Sequence, residues 1–481
     1  MDKGRRTQYL VATAVSLASV SVGAVLFWLT PVIPKLRNNE AGFQISEAEI
    51  SWMAALSSPG FIVGSIITRY LSDNFGRQIT ILGSAVPNII ATIIILFCSA
   101  AWMMHLSRVM WGIGSAMISS VSVMYLAEIS NKEIRGRISA GNRFMFTFGG
   151  FLVMVVGSFF PFYILNYLML FLLVCYTVSC CFIPESPYYL LKQGKVDAAR
   201  KALMTLSGQT DEKVLEDRLS DMRSHVRKEM IRSGSLKELI TGKQYRKALT
   251  IVIGLKFTQM MAGSLALQVY LGAIIQESQT VVSVSTALII FASVRFVVGI
   301  CSSILVDKVG RRPLLLYSYF ISSIILGIVG TYYFLQPTSP TFSFIPLTGI
   351  ISFIVMTTLG YSTIGYIILG EVFPINVKSV AITVINILGG LLNFLSMKGY
   401  QELKNVAGLT GVFWFYSISA LIGAVFTYLV VPETMGKSLR QIQIELQGKH
   451  MIDEAEVKLN QVVNENGATT ELKQLEHKES K

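Results

Sequence analysis

The sequence predicts an all-α membrane protein with twelve transmembrane helices, arranged as two parallel six-helix repeats with further helices in a cytoplasmic connection. Three observations support this fold class: the composition, the number of long apolar segments, and a set of motifs that occurs twice. Of the 481 residues, 52% are hydrophobic and 15% are charged, and the mean hydropathy is +0.56. In soluble domains about a quarter of the residues are charged. The composition therefore excludes a disordered chain and argues against a water-soluble enzyme.

The net charge of +12 would suggest a nucleic-acid ligand in a soluble protein. In an apolar chain such a charge reflects cationic loops beside anionic lipid, so we expect a lipid bilayer as partner and no nucleic acid. The five cysteines and four histidines show no metal-ligand spacing, and the sequence predicts no metal site and no cofactor. No nucleophile, base and acid occur together at an interface, so we expect no enzymatic activity. Nothing in the sequence indicates an oligomeric state.

Twelve segments are long and apolar enough to cross the bilayer, which requires about 20 residues each. All are predicted as helices, because backbone polar groups in lipid have to be paired internally. The first segment exceeds the apolar core of a signal peptide, and we expect it to remain as a membrane span. The twelve predicted spans are 9–33, 50–71, 79–98, 101–127, 139–160, 162–183, 248–275, 281–305, 313–335, 344–370, 378–400 and 406–431.

A polar stretch interrupts the series of spans in the middle of the chain. Residues 192–247 contain fourteen Lys and Arg against eight Asp and Glu, and their pattern predicts short amphipathic helices on the cytoplasmic surface. A polar tail follows Pro432. We therefore expect four parts: a first six-helix repeat, a cytoplasmic linker, a second six-helix repeat and a cytoplasmic tail. Their predicted ranges are 1–183, 184–247, 248–431 and 432–481.

The Lys and Arg residues of the connections predict the orientation. Nearly all of them fall in the alternate set that contains the N-terminus, 72–78, 192–247, 306–312 and the tail. Cytoplasmic loops carry an excess of Lys and Arg, so both termini are predicted to be cytoplasmic, which agrees with an even number of spans. The opposite connections contain four such residues, namely Lys35, Arg37, Lys398 and Lys404.

An internal repeat divides the chain into two similar halves. Three motif pairs occur in the same order, with separations of 234, 243 and 248 residues. Both members of each pair fall on the cytoplasmic side, so the repeats run parallel. Parallel six-helix repeats about an axis along the membrane normal are the architecture of major facilitator transporters. The pairs are Asp73-Asn-Phe-Gly76-Arg77 with Asp307-Lys-Val-Gly310-Arg311-Arg312, Glu128 and Arg135 with Glu371 and Lys378, and Pro184-Glu185-Ser186 with Pro432-Glu433-Thr434.

The repeated charged residues are predicted to form a cytoplasmic gate. A rocking transporter needs a closure that opens at low cost, and charge-assisted hydrogen bonds of about 1.5–3 kcal/mol are suitable because water can replace them. Glycine at 76 and 310 allows a short turn with positive φ. The alternative interpretation is a set of ordinary positively charged loops. The predicted gate comprises Asp73, Gly76, Arg77, Glu128, Arg135, Glu185, Asp307, Gly310, Arg311, Arg312, Glu371, Lys378 and Glu433.

From about residue 10 to 440 the sequence resembles the sugar porter family of the major facilitators. Within that family it is similar to the insect facilitated trehalose transporters, with Trp28 and Pro31 in the first helix. The resemblance implies a twelve-helix bundle with a central saccharide cavity, alternating access and a place in the plasma membrane. The most specific motifs are Pro184-Glu-Ser-Pro187, Pro432-Glu-Thr-Met-Gly-Lys-Ser438, Arg135-Gly-Arg137 and Val306-Asp-Lys-Val-Gly-Arg-Arg-Pro313.

The resemblance also implies which residues bind the solute. Gln259 and Gly263 are retained from the family's seventh-helix motif Gln-Gln-x-x-Gly-x-Asn, whose other amides are replaced here by Met and Leu. Asn393 matches an amide of the eleventh helix, and Tyr366 provides an aromatic face in the tenth. We therefore expect the solute to bind between the repeats near Gln259 and Asn393, with Tyr366 stacking on it.

Cations inside the spans are an unusual feature of this chain. Arg143 and Arg295 occupy positions at which the family has amides, and Lys256 also lies within a span. Arg295 precedes Asp307 by twelve residues, which is about 18 Å along a helix. A cation at the bilayer centre costs at least about 2.5–3.5 kcal/mol and usually faces a wet cavity. The alternative is that these side chains reach the interface or bond to carbonyl groups.

Three functions follow from these observations. No Asp or Glu lies in the interior of a predicted span, and proton-coupled transport normally needs an intramembrane carboxylate. The first hypothesis is therefore facilitative transport of a saccharide, with trehalose as one candidate. The second is transport of an organic anion that binds Arg143 and Arg295. The third is a nutrient sensor that binds a solute without transporting it.

Overall fold

The helices of the computed structural model form two six-helix repeats joined by a set of linker helices, as the sequence predicts. The structure describes residues 3–130, 134–208, 212–231, 236–278, 282–336, 342–373, 375–435, 437, 441–442 and 445–446.

Eight helices build the N-terminal repeat, because two of its six spans are interrupted. Pro31 and Pro87 have no N–H to donate to the carbonyls of Phe27 and Gly83, and the two interruptions lie at these positions. The helices are α1 (Lys3–Phe27), α2 (Leu29–Arg37), α3 (Glu47–Asn74), α4 (Arg77–Gly83), α5 (Ala85–Leu96), α6 (Ala101–Ile129), α7 (Arg135–Phe159) and α8 (Phe162–Cys181).

The linker contains the short amphipathic helices that its composition predicts. Their apolar faces form a small hydrophobic cluster of their own, which includes Leu190, Leu203 and Leu219. The Gln8 amide donates to the Leu206 carbonyl and attaches this cluster to α1. We call the end of the bundle that carries these helices the linker face and the opposite end the far end. The linker helices are α9 (Pro187–Lys192), α10 (Val196–Ser207), α11 (Glu212–Ile231) and α12 (Leu236–Thr241).

Eight further helices build the C-terminal repeat, after a short 3₁₀ turn at Lys243–Tyr245. Gly263, with φ of 73°, separates the first two, and Gly360, with ψ of −110°, separates two others. The helices are α13 (Arg246–Met261), α14 (Ser264–Val269), α15 (Leu271–Glu277), α16 (Val284–Val309), α17 (Arg311–Leu335), α18 (Ile345–Leu359), α19 (Tyr361–Val372) and α20 (Ile375–Val430).

The number of spans agrees with the predicted twelve. Eleven helical segments of the described chain are long and apolar enough to cross a membrane. The last, Val380–Val430, contains Gly408, whose φ of 63° and ψ of −171° are not helical. This segment is therefore two spans that meet at Gly408. The predicted connection at 401–405 is itself helical, so the turn lies a few residues later than the sequence predicts.

The main contacts between the two repeats are made by α3 with α20, α7 with α16, and α2 with α15. Aromatic rings fill the α7–α16 contact, where Phe296 lies 5.3 Å from Phe144 and 5.2 Å from Phe151 between ring centroids. Three of the candidate solute-binding residues, Asn393, Arg143 and Arg295, also lie at this boundary.

Candidate functional site

At the linker face, each repeat has a glycine turn closed by a glutamate. Gly76 has φ of 101° and Gly310 has φ of 100°, and each immediately precedes a helix. A Cβ atom on Gly76 would lie 2.2 Å from Glu185 Oε2, and one on Gly310 would lie 3.0 Å from Glu433 Oε2. Both glycines are therefore required by their backbone conformation and by the glutamate beside them.

The two glutamates accept hydrogen bonds from equivalent backbone groups. Glu185 accepts from the N–H groups of Arg77 at 2.9 Å and Gln78 at 3.2 Å. Glu433 accepts from the N–H groups of Arg311 at 3.1 Å and Arg312 at 3.0 Å. Carboxylates at a helix N-terminus satisfy free N–H groups and the helix dipole. The repeated Pro-Glu motif thus fixes the start of a helix in each repeat.

The N-terminal repeat has a buried ion pair next to this turn. Arg77 Nη2 lies 2.9 Å from Glu128 Oε1, and Arg77 Nε lies 3.1 Å from the other oxygen of that carboxylate. Arg77 also donates to the Ser72 carbonyl, and the Ser186 hydroxyl donates to Glu128. These contacts join α3, α4, α6 and the start of the linker. In this conformation they therefore connect elements within one repeat.

The other predicted gate residues either are more exposed than Arg77 and Glu128 or have side chains that the structure does not describe. Asp73 Oδ1 pairs with Lys192 at 2.8 Å at the surface. Arg135 lines a cleft between α6 and the linker helices, together with Arg218 and Asp221. In the C-terminal repeat, Arg312 Nη2 donates to the Tyr428 carbonyl at 2.6 Å. The side chains of Asp307, Glu371 and Lys378 lie outside the described part of the structure, as does that of Tyr366.

The pKa values of the two equivalent glutamates shift in opposite directions. Burial raises the pKa of the Glu185 carboxyl above its ordinary value, and its backbone hydrogen bonds only partly oppose this. Burial also raises the pKa of Glu433, but four backbone N–H groups outweigh it, so the pKa of Glu433 is lowered. Glu433 therefore contributes stability above the ordinary carboxyl pKa, which is lost as the pH falls through its lowered value. The contribution of Glu185 to stability has the opposite sign, because its buried charge destabilises the fold above its raised pKa.

A pH series of thermal unfolding tests this difference. At pH 7 we expect Glu433→Gln to lower the unfolding temperature more than Glu185→Gln does. The Glu433→Gln deficit should shrink on acidification, because the wild-type charge is then lost. Equal, pH-independent deficits in the two variants would contradict the assignment.

Near the middle of the bundle, the predicted seventh span bends at Gly263. A Cβ atom there would lie 2.5 Å from the Tyr416 ring, so this glycine admits an aromatic side chain. Gln259 lies one turn earlier and is 8% exposed. Its side-chain amide has no hydrogen bond to any residue that the structure describes.

Asn393 lies at the boundary between the repeats. Its Nδ2 donates to the Ser58 hydroxyl of α3 at 2.9 Å, and its Oδ1 is buried without a hydrogen-bond partner among the described residues. A buried amide oxygen without a partner costs about 1–3 kcal/mol. This oxygen can accept a hydrogen bond from a hydroxyl or N–H group.

The intramembrane arginines contact groups of the opposite repeat. Arg143 Nη2 in α7 donates to the Thr363 hydroxyl in α19 at 2.8 Å. The Arg295 guanidinium carbon in α16 lies 3.8 Å from the centre of the Phe27 ring in α1, which is a cation–π contact. Both cations are therefore placed at the boundary between the repeats.

Sequence reasoning missed a third arginine within a predicted span, and this one is buried. Arg108 is 2% exposed in α6, where its Nε donates to the Met53 carbonyl at 3.1 Å and its Nη1 to the Val25 carbonyl at 3.2 Å. The same signal that identified Arg143 and Arg295, a cation within an apolar span, would have found it.

Comparison with known proteins agrees with this geometry. The profile of the family described as "Sugar (and other) transporter" matches residues 9–446. The facilitated trehalose transporter Tret1 of Polypedilum vanderplanki is 28% identical over 448 residues, 92% of this chain and 88% of that protein. A Tret1-2 homologue of Drosophila simulans is 28% identical over 449 residues, 92% and 91% of the two chains.

Solved structures show the same fold. The inward-open xylose transporter XylE from E. coli has a TM-score of 0.76 at 19% identity, covering 91% of this chain and all of that one. XylE bound to 6-bromo-6-deoxy-D-glucose has a TM-score of 0.71 at 18% identity, covering 92% and 100% of the two chains. The overall architecture is that of a major facilitator.

Proposed function

The chain belongs to the sugar (and other) transporter family, and from that premise we propose that it carries a saccharide across the membrane by facilitated, uncoupled alternating access. The observation that carries this proposal is a pair of side-chain amides with unused hydrogen-bonding groups, Gln259 one turn before the Gly263 bend and Asn393 at the boundary between the repeats. Amides donate to and accept from hydroxyl groups without a net charge, which suits a neutral saccharide. The relatives named facilitated trehalose transporters make trehalose the first solute to test.

Uncoupled transport is supported by the chemistry of the spans. A coupling proton needs a titratable carboxylate within the membrane, and the predicted spans have no Asp or Glu in their interior. The position in the first helix that carries an Asp in proton-coupled members of the resembling family corresponds here to about Leu29, which is buried in the apolar core. The nearby cation Arg108 is held by two carbonyl oxygens. Movement of the solute would therefore follow its own gradient.

The charge distribution supports an orientation with the linker face and both termini in the cytoplasm. The relatives named facilitated trehalose transporters favour the plasma membrane, with the far end outside the cell. In the present conformation the far end is closed, since α2 and α15 are in contact there. A solute would then reach Gln259 and Asn393 from the cytoplasmic side, and a rocking motion would open the other side.

Uptake by proteoliposomes tests the proposed function. We expect counterflow of trehalose, with no accumulation when a pH gradient is imposed. Accumulation driven by the gradient would contradict uncoupled transport. Competition by sugar acids or phosphates but not by trehalose would favour the organic-anion alternative, for which Arg143 and Arg295 are the candidate ligands. Trehalose binding without flux would indicate a sensor.

Substitution of the amides tests the proposed site. Each of Gln259→Ala and Asn393→Ala would remove one hydrogen bond to the solute, worth about 0.5–1.5 kcal/mol. We therefore expect KM to rise about 2- to 10-fold in each variant. The matched control is Gln193→Ala, an exposed amide at the linker face that contacts the Asp73 carbonyl, which should leave KM unchanged. An unchanged KM in both site variants would remove these residues from the solute site.

A further inference from the structure

We propose that Glu277 is a gating residue that closes the far end of the path by holding Arg37 of the other repeat. We call Arg37, Glu277 and Lys404 the far-end clasp. The assignment of this clasp to a transport cycle rests on the proposed function, whereas the closure itself does not.

The clasp is built around one carboxylate oxygen. Glu277 Oε1 at the end of α15 lies 3.1 Å from Arg37 Nη1 at the end of α2 and 2.6 Å from Lys404 Nζ of α20. Glu277 and Lys404 belong to the C-terminal repeat, and Arg37 belongs to the N-terminal repeat. The contact between Arg37 and Glu277 therefore crosses the boundary between the repeats.

Each side of this crossing contact is fixed within its own repeat. Arg37 donates from Nε and Nη2 to the two oxygens of Glu47, at 2.7 and 2.8 Å, which is the planar bidentate geometry that arginine favours. Lys404 Nζ holds Glu277 from the other side through a single contact at 2.6 Å. When the repeats separate, Arg37 and Glu277 each keep a charged partner, so the crossing contact is the part that breaks.

The clasp lies over a closely packed seam. A Cβ atom on Gly272 of α15 would lie 2.7 Å from Pro34 Cγ and 2.9 Å from the Thr30 carbonyl oxygen of α2, so these helices approach as closely as a glycine permits. The Thr30 hydroxyl donates to the Gln268 carbonyl at 3.2 Å. The ion pair is thus continuous with direct contact between the repeats.

The distribution of cations points to the same role. Lys and Arg are depleted from the connections at the far end, where four such residues occur. Two of them, Arg37 and Lys404, belong to the clasp. A third, Lys398, lies 4.3 Å from the centre of the Trp52 ring of the other repeat. Three of the four cations at this end therefore belong to the clasp or contact the opposite repeat directly.

The partial burial of the clasp makes it responsive to ionic strength. The side chains of Arg37, Glu277 and Lys404 are 17%, 31% and 19% exposed, so water and ions reach them without fully screening them. The Debye length falls from about 10 Å at 0.1 M salt to about 3 Å at 1 M. High salt should therefore weaken the crossing contact in the wild-type protein.

Cysteine accessibility in sealed vesicles tests the clasp without any solute. Ser51 of α3 is fully buried in the closed seam region beside the Tyr270 hydroxyl, and Ser51→Cys changes a single atom. With Cys98, the native cysteine near this end, replaced by serine, an impermeant maleimide is applied from the far side. We expect Glu277→Gln to increase the labelling rate of position 51 by about 2- to 5-fold. Raising the salt from 0.1 to 1 M should increase it in the wild-type background.

The control is Glu402→Gln, which alters an exposed carboxylate at the same end that approaches Lys398 of its own helix and should leave labelling unchanged. Arg37→Gln should also increase labelling, and the two substitutions together should have less than the sum of their effects, because the crossing contact is lost in each single variant. Labelling that is equal in wild type, Glu277→Gln and Glu402→Gln, or independent of salt in the wild type, would overturn the clasp. If labelling responds as expected but no saccharide is carried, the clasp stands and the proposed function fails.

Discussion

Replacing Arg77 by alanine is expected to lower the free energy of unfolding by about 3–5 kcal/mol, because it leaves the Glu128 carboxylate buried without its cation. The Arg77 and Glu128 side chains are 7% and 15% exposed, so water cannot readily replace the lost contact. The substitution also removes a donor to the Ser72 carbonyl, at the turn between α3 and α4. Unfolding of the purified protein in mixed micelles, followed by circular dichroism, measures the change.

The matched control is Lys192→Ala, which removes the partner of Asp73 on the same face of the repeat. That pair is 2.8 Å long, yet its side chains are 38% and 48% exposed, and exposed pairs contribute about 0–1 kcal/mol. If the two substitutions lower the free energy of unfolding equally, the Arg77–Glu128 pair contributes no more than an exposed ion pair. Uptake should fall with Arg77→Ala at temperatures where the variant is folded, if the linker face has to keep its shape during transport.

The twelve spans and the two parallel repeats follow from the sequence because they depend on properties that each segment carries alone. Length, apolar composition and the position of Lys and Arg are local, and so are the Pro31 and Pro87 interruptions. The turn at Gly408 is different. Residues 401–405 include polar side chains typical of a connection, but they continue the helix, and the glycine with positive φ makes the turn.

The candidate gate shows why the spacing of charged residues does not determine their partners. The sequence places Arg77, Glu128 and Glu185 at one end of the bundle, where the structure finds them. Which repeat each residue contacts depends on helix rotation, which the one-dimensional pattern does not contain. The structure joins these residues within the N-terminal repeat, so a role in closing the linker face between repeats stays a prediction that applies to another conformation.

The intramembrane cations illustrate the same limit. Composition identifies Arg295 as costly in the membrane, and the family pattern suggests a contact with solute. In the structure the Arg295 guanidinium instead lies over the ring of Phe27 in the other repeat. An aromatic residue that lies 268 positions away is recognisable as a partner only in three dimensions.

Gly263→Ala is expected to destabilise the protein by about 2–5 kcal/mol and to reduce transport strongly. A left-handed backbone costs a residue with a Cβ about 1–2 kcal/mol, and Gly263 has φ of 73°. The added Cβ would also overlap the Tyr416 ring, with three ring atoms at 2.5–2.6 Å, and overpacking of this kind costs about 1–3 kcal/mol. Tyr416 is 2% exposed, so its ring has little room to move.

A double-mutant cycle separates these two causes. In a Tyr416→Leu background the overlap is relieved, so the same Gly263→Ala substitution should cost only the backbone part, about 1–2 kcal/mol. Unfolding in mixed micelles gives the four free energies, and trehalose uptake gives the matching rates. A cost of Gly263→Ala that is the same in both backgrounds would exclude the ring contact. If the double variant recovers stability and uptake with an unchanged KM, Gly263 acts on transport indirectly. Its role is then to let the seventh span bend around Tyr416. A raised KM in the recovered double variant would instead place Gly263 against the solute.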